Sequence, residues 1–107
     1  MNLKSPQQYD ARARIAKAIA HPTRLLLLDA LGHNELCVNE LTELAGVDQS
    51  TVSKHLTLLR EIGLVAARKE GTTHRYRITC RCLGGMFDCI ESVLRENLEA
   101  QKKLLSG

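Results

Sequence analysis

Three glycines and one proline divide the first part of the chain into short segments with helical periodicity. Over residues 8–20 the apolar residues recur at the spacing of a helix, and Pro22 is placed to begin a second helix that ends at Gly32. A third segment ends at Gly46 and a fourth at Gly63. This punctuation predicts four short helices joined by tight turns.

Beyond Gly63 the periodicity changes. Residues 64–79 form two short runs around a Glu-Gly-Thr-Thr turn, a pattern typical of a β-hairpin. Over residues 86–105 the apolar residues return to helical spacing, which predicts a last amphipathic helix. We therefore expect one mainly α domain over residues 1–107, with a small β-hairpin between its fourth and fifth helices.

Charge is distributed unevenly along the chain, although the net charge is only +3. Six Lys and Arg residues and two acids lie between Gln49 and Arg77, whereas residues 29–48 hold five acids and no Lys or Arg. A basic segment on an otherwise balanced domain is typical of a surface that contacts phosphates. A solvated charged face is the alternative interpretation.

The sequence indicates neither a membrane span nor a secretion signal. No apolar run approaches the length of about 18 residues that a spanning helix requires, and the polar N-terminal segment lacks an apolar signal region. We expect a cytoplasmic protein, in which thiols stay reduced. Clustered cysteines in that setting are more often ligands or redox groups than cross-links.

The third and fourth segments, residues 36–45 and 49–62, are spaced like a helix-turn-helix over residues 36–62. Asp48 is placed to cap the second of these helices. An apolar stripe would anchor that helix, while its exposed N-terminal residues are amides, hydroxyls and a lysine, the groups that contact base edges in this motif. A helical domain with polar surface helices is the alternative.

The predicted hairpin would act as a wing beside this recognition helix. Basic and hydroxyl side chains lie near its tip, where they would follow the phosphates or enter the minor groove. The residues that we expect to contact DNA from the wing are Arg68, Lys69, Thr73 and Arg75.

Several strings match one protein family together: HPTR, ELCV, STVSKHL, LREIGLV and the wing pattern G-x4-YRI. Over Ile15 to Ile78 the chain resembles the ArsR/SmtB family of winged-helix metalloregulatory repressors. The resemblance implies a winged helix-turn-helix homodimer, with the first and last helices at the interface, that leaves double-stranded operator DNA when a metal, metalloid or thiol-reactive signal binds. Carried onto this sequence, the recognition positions are Gln49, Ser50, Thr51, Ser53, Lys54 and His55.

Three of the four cysteines lie in the segment TCRCLGGMFDC, which makes residues 80–89 the candidate sensor. Cys37 stands in ELCVN, which lacks the second cysteine of the family's CxC site, so we expect a small buried residue there. The family's zinc site on the last helix also lacks a histidine, because none follows His74.

The remaining thiols are Cys80, Cys82 and Cys89. A continuous helix would separate Cys82 from Cys89 by about 10 Å, but Gly84 and Gly85 would permit a sharp loop that folds the thiols together. A neighbouring arginine, Arg81, and the start of the last helix would both favour the thiolate form.

Resemblance to family members with a C-terminal cysteine triad implies trivalent arsenic or antimony as the inducer, held by three sulfurs, while DNA binding itself would need no cofactor. Two other signals stay open for the same repressor: disulfide or polysulfide formation, and cadmium, lead or zinc, although zinc would need a fourth ligand. A small thiol enzyme is a distant alternative, since the sequence has no CxxC and its four histidines lie on separate elements. Whether the site lies within one chain or between two is also open.

Overall fold

The computed structural model describes residues 1–106 and confirms a mainly helical fold with a small antiparallel sheet. The sequence predicts the order of the five helices and the hairpin correctly. In chain order the elements are α1 (Pro6–Ile19), α2 (Pro22–Leu31), β1 (Leu36–Cys37), α3 (Val38–Ala45), α4 (Gln49–Glu61), β2 (Val65–Glu70), β3 (Thr73–Ile78) and α5 (Leu83–Ser106).

Side-chain caps fix the starts of the first, second and fourth helices. Ser5 and Gln8 exchange hydrogen bonds at the start of α1, with the Gln8 amide donating to Ser5 Oγ (3.2 Å) and the Ser5 amide donating to Gln8 Oε1 (2.8 Å). At α2 the amide of Thr23 donates to Nδ1 of His21 (3.1 Å). At α4 the carboxylate of Asp48 is the cap that the sequence predicts.

The sheet has a third strand that the sequence does not predict. Strand β3 lies between its hairpin partner β2 and the two-residue strand β1, in the order β1-β3-β2. Leu36 pairs with Tyr76, and Cys37 pairs with Arg75. The helix expected from Leu36 therefore begins only at Val38, where the Cys37 amide donates to Glu40 Oε1 (3.0 Å) and closes the first turn.

The core is built from aliphatic side chains, as the scarcity of aromatic residues suggests. Helix α2 contributes three leucines with no exposed surface and lies at its centre, in contact with α3, α4 and β3. The fully buried side chains are Leu27, Leu28, Leu31, Leu41, Val52, Leu56 and Leu59.

The start of α5 corrects the prediction of a loop at the two glycines. The helix begins at Leu83, so Gly84 and Gly85 lie in its first turn rather than in a sharp bend. Leu83 is buried in the core, and the amide of Gly85 donates to the carbonyl of Cys82 (3.1 Å). Burial of this leucine outweighs the modest helix penalty of glycine.

Beyond its first turns, α5 projects its apolar residues outward. Leu83 is its one buried residue, and six apolar residues from Ile90 onward are exposed. They are Ile90, Val93, Leu94, Leu98, Leu104 and Leu105. Among residues 1–106 no helix combines the length and apolarity that a bilayer span requires.

Candidate nucleic-acid interface and cysteine segment

Helices α3 and α4 form the helix-turn-helix, and the turn between them begins at Gly46. Its φ of 69° is the left-handed conformation that glycine adopts without a steric penalty. One side of α4 packs into the core, and the other side is exposed and polar. The exposed polar residues on the first two turns and beyond are Gln49, Ser50, Ser53, Lys54 and Thr57. This side is the surface on which base contacts are expected.

The N-cap of α4 engages two of the predicted recognition residues. The Thr51 amide donates to Asp48 Oδ1 (3.3 Å), and the Ser50 hydroxyl donates to Asp48 Oδ2 (3.2 Å). Hydrogen bonds from Thr51 and Ser50 lower the pKa of the Asp48 carboxyl. Thr51 is also half-buried, whereas Ser53 and Lys54 are exposed on the surface of the helix.

His55 is half-buried on the side of the recognition helix that faces α2, and its contact with DNA stays a prediction. Its ring lies 4.5 Å, centroid to centroid, from the ring of His21 at the start of α2. Burial, followed by electrostatic interaction with the neighbouring His21 and Arg24, lowers the pKa of His55. The neutral ring therefore serves to pack α4 against α2.

The wing lies beside the helix-turn-helix, but its two predicted arginines face glutamates. Arg68 pairs with Glu35 (Nε to Oε1, 3.3 Å) and with Glu70 (Nη1 to Oε2, 3.1 Å). The first of these hydrogen bonds raises the pKa of Arg68. Arg75 donates from Nη2 to the Glu35 carbonyl (2.9 Å) and lies 3.9 Å from the carboxylates of both Glu40 and Glu70.

These contacts give the wing arginines protein partners, while their contacts with DNA stay a prediction. Arg68 and Arg75 both contact Glu35, so they join the hairpin to the segment before α3. Lys69 is exposed, while Thr73 is half-buried. The glutamates that pair with these arginines are not identified from the sequence. There the acids of residues 29–48 show only that charge is unevenly distributed along the chain.

The structure brings two of the three clustered cysteines together. Cys80 and Cys82 are joined by a disulfide, with their Cα atoms 5.4 Å apart. Cys89 is an exposed free thiol on α5, and Cys37 is a half-buried free thiol on β1. Within residues 1–106 no three His, Cys, Asp or Glu side chains converge as a metal ion would require.

Two adjoining cavities lie next to the disulfide, between the end of α2, the end of β3 and the start of α5. The first has a volume of about 200 Å³ and includes Cys80 in its wall. The second has a volume of about 350 Å³ and extends toward Glu35 and Arg77. The residues that line both cavities are Gly32, His33, Ile78 and Arg81.

Comparison with protein families matches residues 21–67 to the bacterial regulatory protein, arsR family. Two curated relatives share 37% identity with the chain. The transcriptional activator HlyU of Vibrio cholerae aligns over 84% of both proteins. The HTH-type transcriptional regulator Rv0324 of Mycobacterium tuberculosis aligns over 83% of this chain, which spans only 39% of that longer protein.

Solved structures give the same result. The solution structure of the homodimeric winged helix-turn-helix DNA-binding domain of Mb0332 from Mycobacterium bovis has a TM-score of 0.75 and 35% identity, covering 94% of this chain and 95% of that one. A structure described as reduced HlyU from V. cholerae has a TM-score of 0.72 and 33% identity, covering 81% of this chain and 92% of that one.

Proposed function

The chain belongs to the ArsR family of bacterial regulatory proteins, so it is a DNA-binding transcription regulator rather than an enzyme, and we propose that it represses transcription by occupying an operator. The observation that carries this proposal is the exposed polar side of α4. Ser53 and Lys54 are exposed on this side, and Lys69 is exposed on the wing. Lysine contacts guanine or phosphate, and serine contacts several base edges.

The operator-binding form is a homodimer in this proposal. Helix α5 leaves a row of leucine, isoleucine and valine side chains exposed along most of its length, and a contiguous exposed apolar surface marks an interaction site. The domain of Mb0332, which covers nearly all of this chain, is homodimeric. Twofold symmetry would then place two copies of α4 in major grooves about 34 Å apart, one turn of the duplex.

Operator binding is tested by fluorescence anisotropy on DNA from the promoter region of the gene that encodes this protein, over a range of salt concentrations. We expect Lys54→Ala to weaken specific binding by about 5- to 150-fold, because a base contact is worth about 1–3 kcal/mol. Lys4→Ala removes the same charge from an exposed position before α1 and is the matched control. Equal effects of the two variants would contradict a recognition role for α4.

We further propose that the signal is oxidation of the Cys80–Cys82 pair. Two thiols lose two protons and two electrons to a peroxide or another disulfide; with hydrogen peroxide the products are one protein disulfide and two waters. The position of the pair supports this chemistry because the Cα atoms of Cys80 and Cys82, 5.4 Å apart, lie within the range that a disulfide can join.

The position of the pair supports a coupling to DNA binding. Cys80 follows the last residues of β3, and Cys82 immediately precedes α5. Oxidation would fix the short connection between the wing and the helix that carries the exposed apolar row. A coupling free energy of about 1–3 kcal/mol corresponds to a change of about 5- to 150-fold in operator affinity.

The arsenic or antimony site on Cys80, Cys82 and Cys89 stays a prediction, and the described arrangement does not fit it. Because α5 is continuous from Leu83, Cys82 and Cys89 are separated by about 10 Å along the helix. Single Cys→Ser variants distinguish the signals. Oxidative release would require Cys80 and Cys82 alone, whereas release by arsenite would require Cys89 as well.

A further inference from the structure

The two cavities beside Cys80 have walls of opposite charge. Asp29 and Asp88 line the first cavity together with Cys80, and Arg77 lines the second. Arg81 lines both of them. A molecule that occupied both cavities would therefore meet two aspartates and Arg81 at the end nearest the cysteine, and Arg77 and Arg81 at the other end.

These charges are not neutralised by ion pairs within the chain. In residues 1–106 no salt bridge involves Arg77, Arg81, Asp29 or Asp88. Glu35, the acid that lines the second cavity, is held by Arg68. The unpaired arginines and aspartates thus remain available to a ligand. A ligand that used both would carry an anionic group and a cationic group.

The space suits a small molecule. The second cavity alone, at about 350 Å³, holds at least about ten water molecules at about 30 Å³ each. Its apolar wall is limited to Ile78, with Leu28, Leu83 and Phe87 lining the first cavity. A ligand with a short aliphatic part and charged ends would make use of this lining.

We propose that the cavities bind a zwitterionic, amino-acid-derived disulfide and deliver it to Cys80. Its carboxylate lies at Arg77 and Arg81, its ammonium group lies at Asp29 and Asp88, and its sulfur–sulfur bond faces Cys80. This inference names the oxidant for the proposed redox function and rests on it. Of the two cysteines, Cys80 is the less exposed and is the one that lines a cavity.

The chemistry is two successive thiol–disulfide exchanges. The Cys80 thiolate attacks one sulfur of the bound disulfide, forming a mixed disulfide and releasing the first small thiol. The Cys82 thiolate then attacks Cys80 Sγ, forming the protein disulfide and releasing the second small thiol. Two protein thiols are oxidised, one small disulfide is reduced, and each departing thiolate takes up one of the protons that the cysteines lose.

Three small disulfides test the two charged walls separately. Cystine carries both groups, 3,3′-dithiodipropionate is cystine without its ammonium groups, and cystamine is cystine without its carboxylates. The rate constant of each disulfide is measured on reduced full-length protein carrying Cys37→Ser and Cys89→Ser. It is then divided by the rate constant of the same disulfide with the free thiol N-acetylcysteine amide, which removes differences in intrinsic reactivity.

We expect the normalised rate for cystine to exceed the rates for both analogues by about three- to fivefold, the range of a solvent-accessible ion pair. Arg77→Gln should remove the advantage over cystamine, and Asp29→Asn should remove the advantage over dithiodipropionate. Both residues are exposed, so these variants should fold. Arg60→Gln changes the same charge outside both cavities and should leave the ratios unchanged.

Ratios rather than absolute rates decide the result, because Arg81 and Arg77 could also change the reactivity of the thiols toward every disulfide equally. Equal normalised rates for the three disulfides, or ratios that survive both cavity variants, would overturn the site. Operator affinity after peroxide oxidation is measured on the same samples. If oxidation leaves that affinity unchanged while the ratios hold, the site stands and the redox-repressor function fails.

Discussion

The rings of His55 and His21 meet between the recognition helix and α2, and this contact decides what His55 does. From the sequence, its position within STVSKHL placed it with the base-contacting residues. Lys54 and His55 are neighbours in the chain, yet a helix turns successive residues by about 100°, so they face different surroundings. The periodicity of the apolar stripe predicts which side is buried, but it does not predict that a histidine from another helix completes the packing.

The lowered pKa of His55 makes folding sensitive to mildly acidic pH. Because the folded state favours the neutral ring, its contribution is fully present above the unfolded pKa of about 6.5 and is lost as pH falls toward the lower folded pKa. We expect the urea midpoint to fall between pH 7.5 and 5.5, and His55→Gln to reduce that fall. His33→Gln, at an exposed position, is the control. The same pH dependence in wild type and His55→Gln would contradict the proposed packing role.

At the scale of the elements, local signals predict the helices and the hairpin, while contacts across the chain determine what they miss. Strand β1 contains only Leu36 and Cys37, which pair with Tyr76 and Arg75. Because this pairing joins distant parts of the chain, no local sequence pattern predicts the strand. In the same way, Gly84 and Gly85 favour a loop locally, but both lie in α5 because the helix begins at the buried Leu83.

The wing is the element whose arginines have protein partners that the sequence does not predict. Its arginines are visible in the sequence, but their glutamate partners are set by tertiary structure. If Arg75 positions the wing through Glu35 and Glu40, Arg75→Ala will weaken operator binding without changing the slope of log K against log salt.

Lys69 provides the comparison, because its side chain is exposed and has no salt bridge among residues 1–106. A phosphate contact predicts that Lys69→Ala will reduce the salt slope by about 1. Anisotropy titrations at several salt concentrations measure both slopes. A loss of about 1 in the slope for Arg75→Ala would show that this arginine exchanges its glutamates for phosphate, as the sequence suggested.

At the scale of the whole molecule, the exposed apolar row on α5 is predicted to be the centre of a dimer interface. Leu98 lies in this row, so Leu98→Glu would place a charge in a desolvated contact and should shift the protein from dimer to monomer. Operator affinity should fall with it. Ser92→Glu introduces the same charge on the opposite side of the helix and is the control.

Sedimentation equilibrium at micromolar concentrations distinguishes the two variants. A dimeric Leu98→Glu protein would show that this row serves another purpose. The sequence predicts the row correctly from periodicity alone. The length of the chain also indicates a core too small to cover the row, and the fold shows which residues of α5 stay exposed.

Operator affinity measured before and after oxidation tests the central claim most directly. Reduced and peroxide-treated protein are titrated onto labelled operator DNA, in wild type and in the Cys80→Ser, Cys82→Ser and Cys89→Ser variants. We predict that oxidation weakens wild-type and Cys89→Ser binding by about 5- to 150-fold. The Cys80→Ser and Cys82→Ser variants should bind equally well in both states. Equal affinities of reduced and oxidised wild-type protein would contradict the claim.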